Sequence, residues 1–301
     1  MKNKILVFDI GGSFIKFSLF SQNGFFKKGK VVTPMDSLDD LIVTLEQIHS
    51  QFVDEIEGVA ISLPGIVNST SGHMVHGGSL KYINDLNMVE VLEKRFRLPV
   101  TIENDGKCAA LGEAWRGALQ GVNDGVVLVV GTGMGGGIIS QGKLLKGHHL
   151  SAGEFYFIRT NNEDADNLDY FLGFQGSSLT LTKNVAKNKN LPVGSVTGEK
   201  VFEFIEKDDP VVQSVFRGYC RNIDIQIINL QSVLDPEKFV IGGGISENPL
   251  LVSTIRQELE KLYSESTFNF IYAQIEQSKL GNEATLLGAI YNYKQLHNIA
   301  L

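Results

Sequence analysis

Cysteine is scarce in this chain of 301 residues: only Cys108 and Cys220 occur, far apart and with no C-x-x-C or C-x-C spacing. That excludes a disulfide framework and offers no thiolate zinc site, and it makes the cytoplasm the natural compartment. An excess of positive charge is also missing. With 27 Lys and Arg against 34 Asp and Glu, the net charge is -7 and the pI about 5.4, which argues against a nucleic-acid partner. The short basic runs, Lys27-Lys28 and Lys183 to Lys189, read as solvated surface. No run approaches the roughly 18 uninterrupted apolar residues of a membrane span, so no membrane partner is expected. The opening MKNKILVFDIGG enters an apolar strand at once, with no small-residue cleavage site of a signal peptide.

Material for cores is ample, at 43% hydrophobic and 20% charged residues. The length suits two domains or one large α/β domain, and two lobes with a cleft are the first expectation. Lys4 to Ile10 reads as a buried strand, turned by Gly11-Gly12-Ser13 into a second strand, Phe14 to Phe20; a third runs from Phe25 to Val32. In Asp9 to Ser13 the two glycines allow a phosphate to approach backbone N–H groups, Ser13 adds a hydroxyl and Asp9 a carboxylate able to orient hydrated Mg2+. A Gly-Gly turn between strands is also an ordinary hairpin. Helical spacing from Asp36, with Ser37 and Asp40 as a capping box, predicts a helix packed on the sheet. Gly58 to Leu63 is the next strand, stopped by Pro64-Gly65, and a helix over about Asn87 to Phe96 follows.

Val100 to Glu113, VTIENDGKCAALGE, is the stretch around which the rest is organised. A β-rich run ends at Glu103-Asn104-Asp105 and an Ala-rich helix follows to about Trp115, so an amide and a carboxylate stand at a strand-to-helix corner. Ligands in open α/β sheets bind beyond the carboxyl ends of strands, which suits Asp105 to a general base and Asn104 to gripping a hydroxyl. The alternative is that Asp105 merely caps the helix.

Gly125 to Ser140 repeats the opening: an apolar strand, a Gly-rich turn with a hydroxyl at Thr132, and another strand, which suggests an internal duplication. Gly131, Gly133, Gly135, Gly136 and Gly137 exceed a hairpin's needs and fit close approach to an anion. His148 and His149 are adjacent, so their side chains diverge, and no second ligand pair completes a metal site. Asn161 to Asn167 reads as a polar loop, and Pro210 to Leu234 as a long helix opened by Asp-Pro. Gly242-Gly243-Gly244 lies between a strand over Lys238 to Ile241 and a helix over Ser246 to Tyr263, whose N-terminus would favour a nucleotide. A last helix covers Asn282 to Gln295.

Six of these segments, in order, resemble the ROK (repressor, open reading frame, kinase) sugar kinases of the actin, Hsp70 and hexokinase ATPase fold. They are D9-I-G-G-S13, P64-G65, E103-N-D105, G131-T-G-M-G-G-G137, A152-G-E154 and G242-G-G244. The resemblance covers nearly the whole chain. It implies a two-lobed α/β fold with a central ligand cleft: residues 1–117 as the sugar-side lobe, completed by a C-terminal helix over 283–301, and residues 118–282 as the nucleotide-side lobe. It implies ATP and Mg2+ as cofactors and transfer of the γ-phosphate to a sugar hydroxyl, the one at position six. Asp105 would be the base, Asn104, Glu154 and Gly65 would contact sugar, and Gly11, Gly12, Ser13, Gly131, Thr132 and Gly133 would cradle phosphates. Asp9 would help place Mg2+ through water, and Gly243 and Gly244 would face the nucleoside. Family members are commonly dimers, although no stripe in this sequence marks a homodimer interface.

Two departures bear on specificity. The family's Gly-Glu-x-Gly-His is replaced by Gly153-Glu154-Phe155-Tyr156-Phe157, and the downstream Cys-x-Cys-Gly zinc segment is missing, so no zinc site is expected. The chain resembles the zinc-free branch that includes β-glucoside kinases, with Phe155, Tyr156 or Phe157 placed against a second ring or an aglycone, or else simply filling volume. Glucokinase, fructokinase and N-acetylmannosamine kinase are the alternatives within the family. A transcriptional repressor of the family would carry a helix-turn-helix before the first strand, where only about eight residues precede Asp9. A non-catalytic sugar sensor would have no need of a base at Asp105.

Overall fold

The computed structural model describes residues 4–299 apart from 163 and 165. Two compact units divide the chain: Met1–Gly117 with Leu144–Ala152 and Asn282–Leu301, and Ala118–Lys143 with Gly153–Gly281. Leu144–Ala152, expected in the second lobe, groups with the first because Lys107 and Lys146 tie it there. The polar stretch 161–167 includes positions 163 and 165, and the expected helix over 283–301 ends at 300 and 301, all outside the described residues.

In the first unit β1 (Lys4–Ile10), β2 (Phe14–Ser21) and β3 (Gly24–Val32) form an antiparallel meander. After α1 (Leu38–Ser50), β4 (Ile56–Leu63) joins β1 in parallel. The α1 stripe Leu41, Ile42, Leu45 and Ile48 is buried as its spacing predicts. Ser37 caps the helix, accepting the Asp40 N–H at 3.1 Å and donating its hydroxyl to the Asp40 carboxylate at 2.6 Å. Three short strands unforeseen in the sequence, β5 (Ile66–Asn68), β6 (His73–His76) and β7 (Asn84–Asn87), make a small antiparallel sheet. Next come α2 (Met88–Phe96), then β8 (Val100–Asn104) beside β4 in parallel, then α3 (Asp105–Arg116). The sheet order among the described residues is β3-β2-β1-β4-β8.

The second unit repeats this plan. β9 (Gly125–Val130) and β10 (Met134–Ser140) are antiparallel, and β11 (Lys143–Leu144) lies outside β10. The helices α4 (Leu172–Gln175), α5 (Ser178–Asn188), α6 (Gly198–Glu206) and α7 (Pro210–Leu234) precede β12 (Lys238–Gly242), which runs parallel to β9. Then α8 (Pro249–Glu265) leads to β13 (Ile275–Gln277), parallel to β12, giving the order β11-β10-β9-β12-β13. The antiparallel β9–β10 and the parallel β9–β12 and β12–β13 follow the same succession as β1–β2, β1–β4 and β4–β8, in keeping with the duplication that slight sequence identity suggested. The α7 start follows from Asp209, which accepts the Val211 and Val212 N–H groups at 3.1 Å, and from Pro210 in the first turn.

Each unit has its own apolar core. One gathers Leu6, Phe8, Ile61 and Ile102, and the other Val126, Leu128, Phe216 and Phe239. Helix α9 (Ala284–Leu296) belongs to the first unit and crosses α3 at backbone distance. A Cβ on Gly288 would stand 1.7 Å from Cys108 O, and one on Gly112 2.1 Å from Ala284 O, so glycine on both helices permits the crossing. No described helix is long and apolar enough to cross a membrane.

Candidate active site

Asp9, near the end of β1, sits in register with Lys16 on β2 and Ser62 on β4. Ser62 Oγ donates to Asp9 Oδ1 at 3.1 Å. Burial pushes the Asp9 carboxyl above its ordinary value, while Lys16 and the Ser62 bond act in the opposite direction. The turn that follows is pinned from three sides. Gly11 N–H closes onto Phe14 O at 3.0 Å, Thr33 Oγ1 donates to Gly11 O at 2.6 Å, and a Cβ on Gly12 would meet Ser79 Oγ at 3.3 Å. Ser62, Thr33 and Ser79 are additions to the sequence reading, since only folding brings them to the turn.

At the β8–α3 corner the cap is Asn104, not Asp105. Asn104 Oδ1 accepts the Lys107 N–H at 3.0 Å, while its Nδ2 donates to Gly65 O at 2.9 Å. Asp105 is the first helical residue, its Oδ1 accepting the Gly106 N–H at 2.8 Å. Gly65 itself has φ +104, and a Cβ there would lie 2.1 Å from His76 O, so only glycine delivers that carbonyl to Asn104. The Cys108 thiol behind the corner is pushed well above its ordinary value, first by burial and then by Glu103, Asp9 and Asp105. The two candidate aspartates therefore lie within electrostatic reach of one buried group.

In the second unit Gly131 N–H closes its turn onto Gly133 O at 2.9 Å, and Ser178 donates to Gly131 O through its N–H at 2.9 Å and its hydroxyl at 2.8 Å. Thr132 at the tip is exposed. Gly243, with φ +92, packs against the end of β9, where a Cβ would lie 2.2 Å from Val130 O. The turns at Gly131–Gly133 and Gly242–Gly244 are thus neighbours. Glu154 precedes a 3-10 turn over Phe155–Phe157.

Two expectations need correction. Gly135, Gly136 and Gly137 belong to strand β10 rather than to the turn. A Cβ on Gly136 would strike Val127 O at 2.0 Å and the Phe155 ring at 2.8 Å, so packing, and not an anion, demands that glycine. Phe155 is 3% exposed and fills the core of its unit, whereas Phe157 is 53% exposed. Tyr156 lies between them in character, tilted on Phe174 at 5.3 Å and edge-on to Phe157 at 5.2 Å, with its ring over Gly173 and beside Gly133. Finally, no α-helix starts at Ser246: a 3-10 turn spans Gly244–Glu247, and α8 begins at Pro249, capped by Asn248, which accepts the Leu250 N–H at 3.0 Å. The triple glycine therefore does not face an α-helical N-terminus.

The ROK family model matches residues 5–295. The β-glucoside kinase of Listeria monocytogenes is 32% identical over 296 residues, spanning 98% of this chain and 99% of its own. Among solved structures, a candidate N-acetylmannosamine kinase from Listeria monocytogenes superposes with TM-score 0.88 at 31% identity, covering 98% of this chain and 100% of its own. A ROK family glucokinase from Streptomyces griseus, in complex with glucose and AMPPNP, gives 0.83 at 26% identity over 95% and 98% of the two chains. The chain belongs to the ROK family and has its actin-like ATPase fold.

Proposed function

We infer that this chain is an ATP-dependent sugar kinase, and we propose that Asp105 is its general base. The observation that carries the base assignment is the division of labour at the β8–α3 corner: Asn104 caps the helix, so Asp105 is not consumed as the cap. Phosphoryl transfer asks a protein chiefly for positioning and for stabilisation of charge. The turns at Gly11–Ser13 and Gly131–Gly133 hold the phosphates, Gly243 and Gly244 border the nucleoside, and Asn104, Gly65 and Glu154 hold sugar hydroxyls. Asp105 accepts the proton of the attacking hydroxyl, taken as the primary one at position six.

Mg2+ fits the first turn on chemistry, because Asp9 is a hard carboxylate whose burial penalty a nearby cation would offset. When bound it neutralises charge on the phosphates, and Asp9 would hold it through water. The acceptor class we propose is a β-glucoside such as cellobiose. The support is the exposed Phe157 beside Tyr156, a flat apolar face of the kind that packs on a sugar ring or aglycone. The test is Asp105→Asn with Mg-ATP and a panel of glucose, N-acetylmannosamine, fructose, cellobiose and an aryl β-glucoside. Sugar binding is retained while ADP release falls about 10²- to 10⁴-fold, the range removed with a general base. Near-normal turnover by the variant refutes the base, and faster turnover of free glucose than of any glycoside by the wild type refutes the acceptor class.

A further inference from the structure

Glu103, fully buried immediately before Asn104, is a charge that the proposed chemistry does not use. Its Oε1 accepts the Asn104 backbone N–H at 2.9 Å, and its Oε2 lies 2.6 Å from Lys146 Nζ as a charge contact rather than an aligned hydrogen bond. Lys146 Nζ also donates to Ser69 Oγ. A second lysine approaches from the helix. Lys107, 1% exposed in the first turn of α3, donates Nζ to Leu150 O at 3.0 Å, and its backbone N–H is the one that Asn104 caps. The contacts close a ring: Glu103 to Lys146, along the chain to Leu150, across to Lys107, and back through Asn104 to Glu103.

We propose that Lys146 is a positioning residue for the Asn104–Asp105 corner, acting through Glu103. The proposal rests on Asp105 being the base. A buried carboxylate without its cation is strongly destabilising, and it escapes that state by taking a proton or by moving. Either response disturbs the acceptor that holds the Asn104 N–H. Asn104 in turn sets both the helix cap and the bond to Gly65 O. Lys146 thus holds Glu103 in place, and through it the direction in which α3 presents Asp105. The cation comes from a segment far along the chain that lies in the same compact unit, so its conformation and the geometry of the corner are one problem.

The experiment compares Lys146→Met, Lys146→Arg and the double variant Glu103→Gln/Lys146→Met with the wild type and Asp105→Asn, on one glycoside with Mg-ATP. Lys146→Met lowers kcat about 10- to 100-fold, the order expected of a displacement near 1 Å, with KM for ATP within about twofold. The double variant, which leaves no orphaned charge, recovers kcat to within several-fold of the wild type, as does Lys146→Arg. A folded Lys146→Met with unchanged kcat overturns the proposal, and so does a loss confined to KM for ATP. If Lys146→Met does not fold, the double variant decides: kcat near wild type supports action through Glu103, and kcat still depressed 100-fold overturns it. Asp105→Asn separates the two ideas. Normal turnover there removes the base, whereas an inactive Asp105→Asn beside a normal Lys146→Met removes only the positioning role.

Discussion

Asp224, in the middle of α7, is fully buried, and neither of its carboxylate oxygens has a hydrogen-bond partner. Its neighbour across the helix pair is Glu258 of α8, itself buried, with Lys261 Nζ at 2.5 Å and Arg221 at 4.0 Å. Cys220 and Tyr263, which also face the group, carry no charge at neutral pH. Burial, and then the Glu258 charge, push the Asp224 carboxyl up to about 8, with Arg221 acting weakly in the other direction. The folded chain therefore keeps this proton up to about pH 8, while the unfolded chain releases it near the ordinary 3.8. Between these values the folded state binds the extra proton, so stability contributed at this site is complete at low pH and is lost as the pH rises through the window. The distance from 3.8 to about 8 corresponds to about 6 kcal/mol as a ceiling. Water entry and relaxation around the ionised group reduce it, and about 2 kcal/mol between pH 5 and pH 8 is the expected fraction. Asp224→Asn keeps the shape of the side chain and removes the titration. Its melting temperature should match the wild type at pH 5 and exceed it at pH 8 by about 4 °C, taking some 2 °C per kcal/mol for a large chain. Scanning calorimetry from pH 5 to pH 8.5 reads this directly. A difference between variant and wild type that stays constant over that range refutes the buried proton.

Two substitutions test other packing. Gly288→Ala places a Cβ where Cys108 O already stands, 1.7 Å away, and neither backbone can yield; a loss of about 3 kcal/mol or more is expected, and a melting temperature within about 2 °C of the wild type contradicts the helix crossing. Phe157→Ala removes the exposed ring and should raise KM for an aryl β-glucoside several-fold while leaving free glucose unaffected; equal effects on both acceptors remove the ring from the acceptor site.

What could be read from the sequence depended on how local the cause was. The β1 and β9 runs, the α1 stripe and the Asp209-Pro210 start all lie within a few residues of their causes, and the structure places them where they were expected. The start of α8 was equally local: Asn248-Pro249 is an ordinary cap followed by proline, overshadowed by the triple glycine before it. Gly136 is different, because the reasons for it are Val127 O on the neighbouring strand and the Phe155 ring, nineteen residues later in the chain, both visible only after folding. Asn104 and Asp105 are both good caps, and only the bond from the Lys107 N–H to Asn104 Oδ1 shows which one the corner uses. Lys146 carries no local mark at all, since its partner Glu103 is forty-three residues earlier.

The duplicated plan explains which half can do which chemistry. In each unit the second parallel element of the sheet ends in a glycine of positive φ, Gly65 after β4 and Gly243 after β12, whose missing Cβ admits a backbone oxygen, His76 O or Val130 O. In each, the first hairpin turns at a glycine whose N–H is spent closing the turn, Gly11 or Gly131. The frames are alike, but the charges are not. Two residues before that glycine stands Asp9 in the first unit and Val129 in the second, and the third parallel strand of the first unit ends in Asn104-Asp105 while β13 ends at Gln277. At the positions compared, the first unit therefore carries the carboxylates Asp9 and Asp105, as a base and a partner for a hydrated cation require. The second offers glycine, Thr132 and Ser178 around its turn, which suits phosphate oxygens that a carboxylate would repel. Exchanging this asymmetry is the sharpest way to separate frame from chemistry: Val129→Asp adds a carboxylate where the duplicated frame has none, and Asp9→Val removes one where the proposed cation would sit.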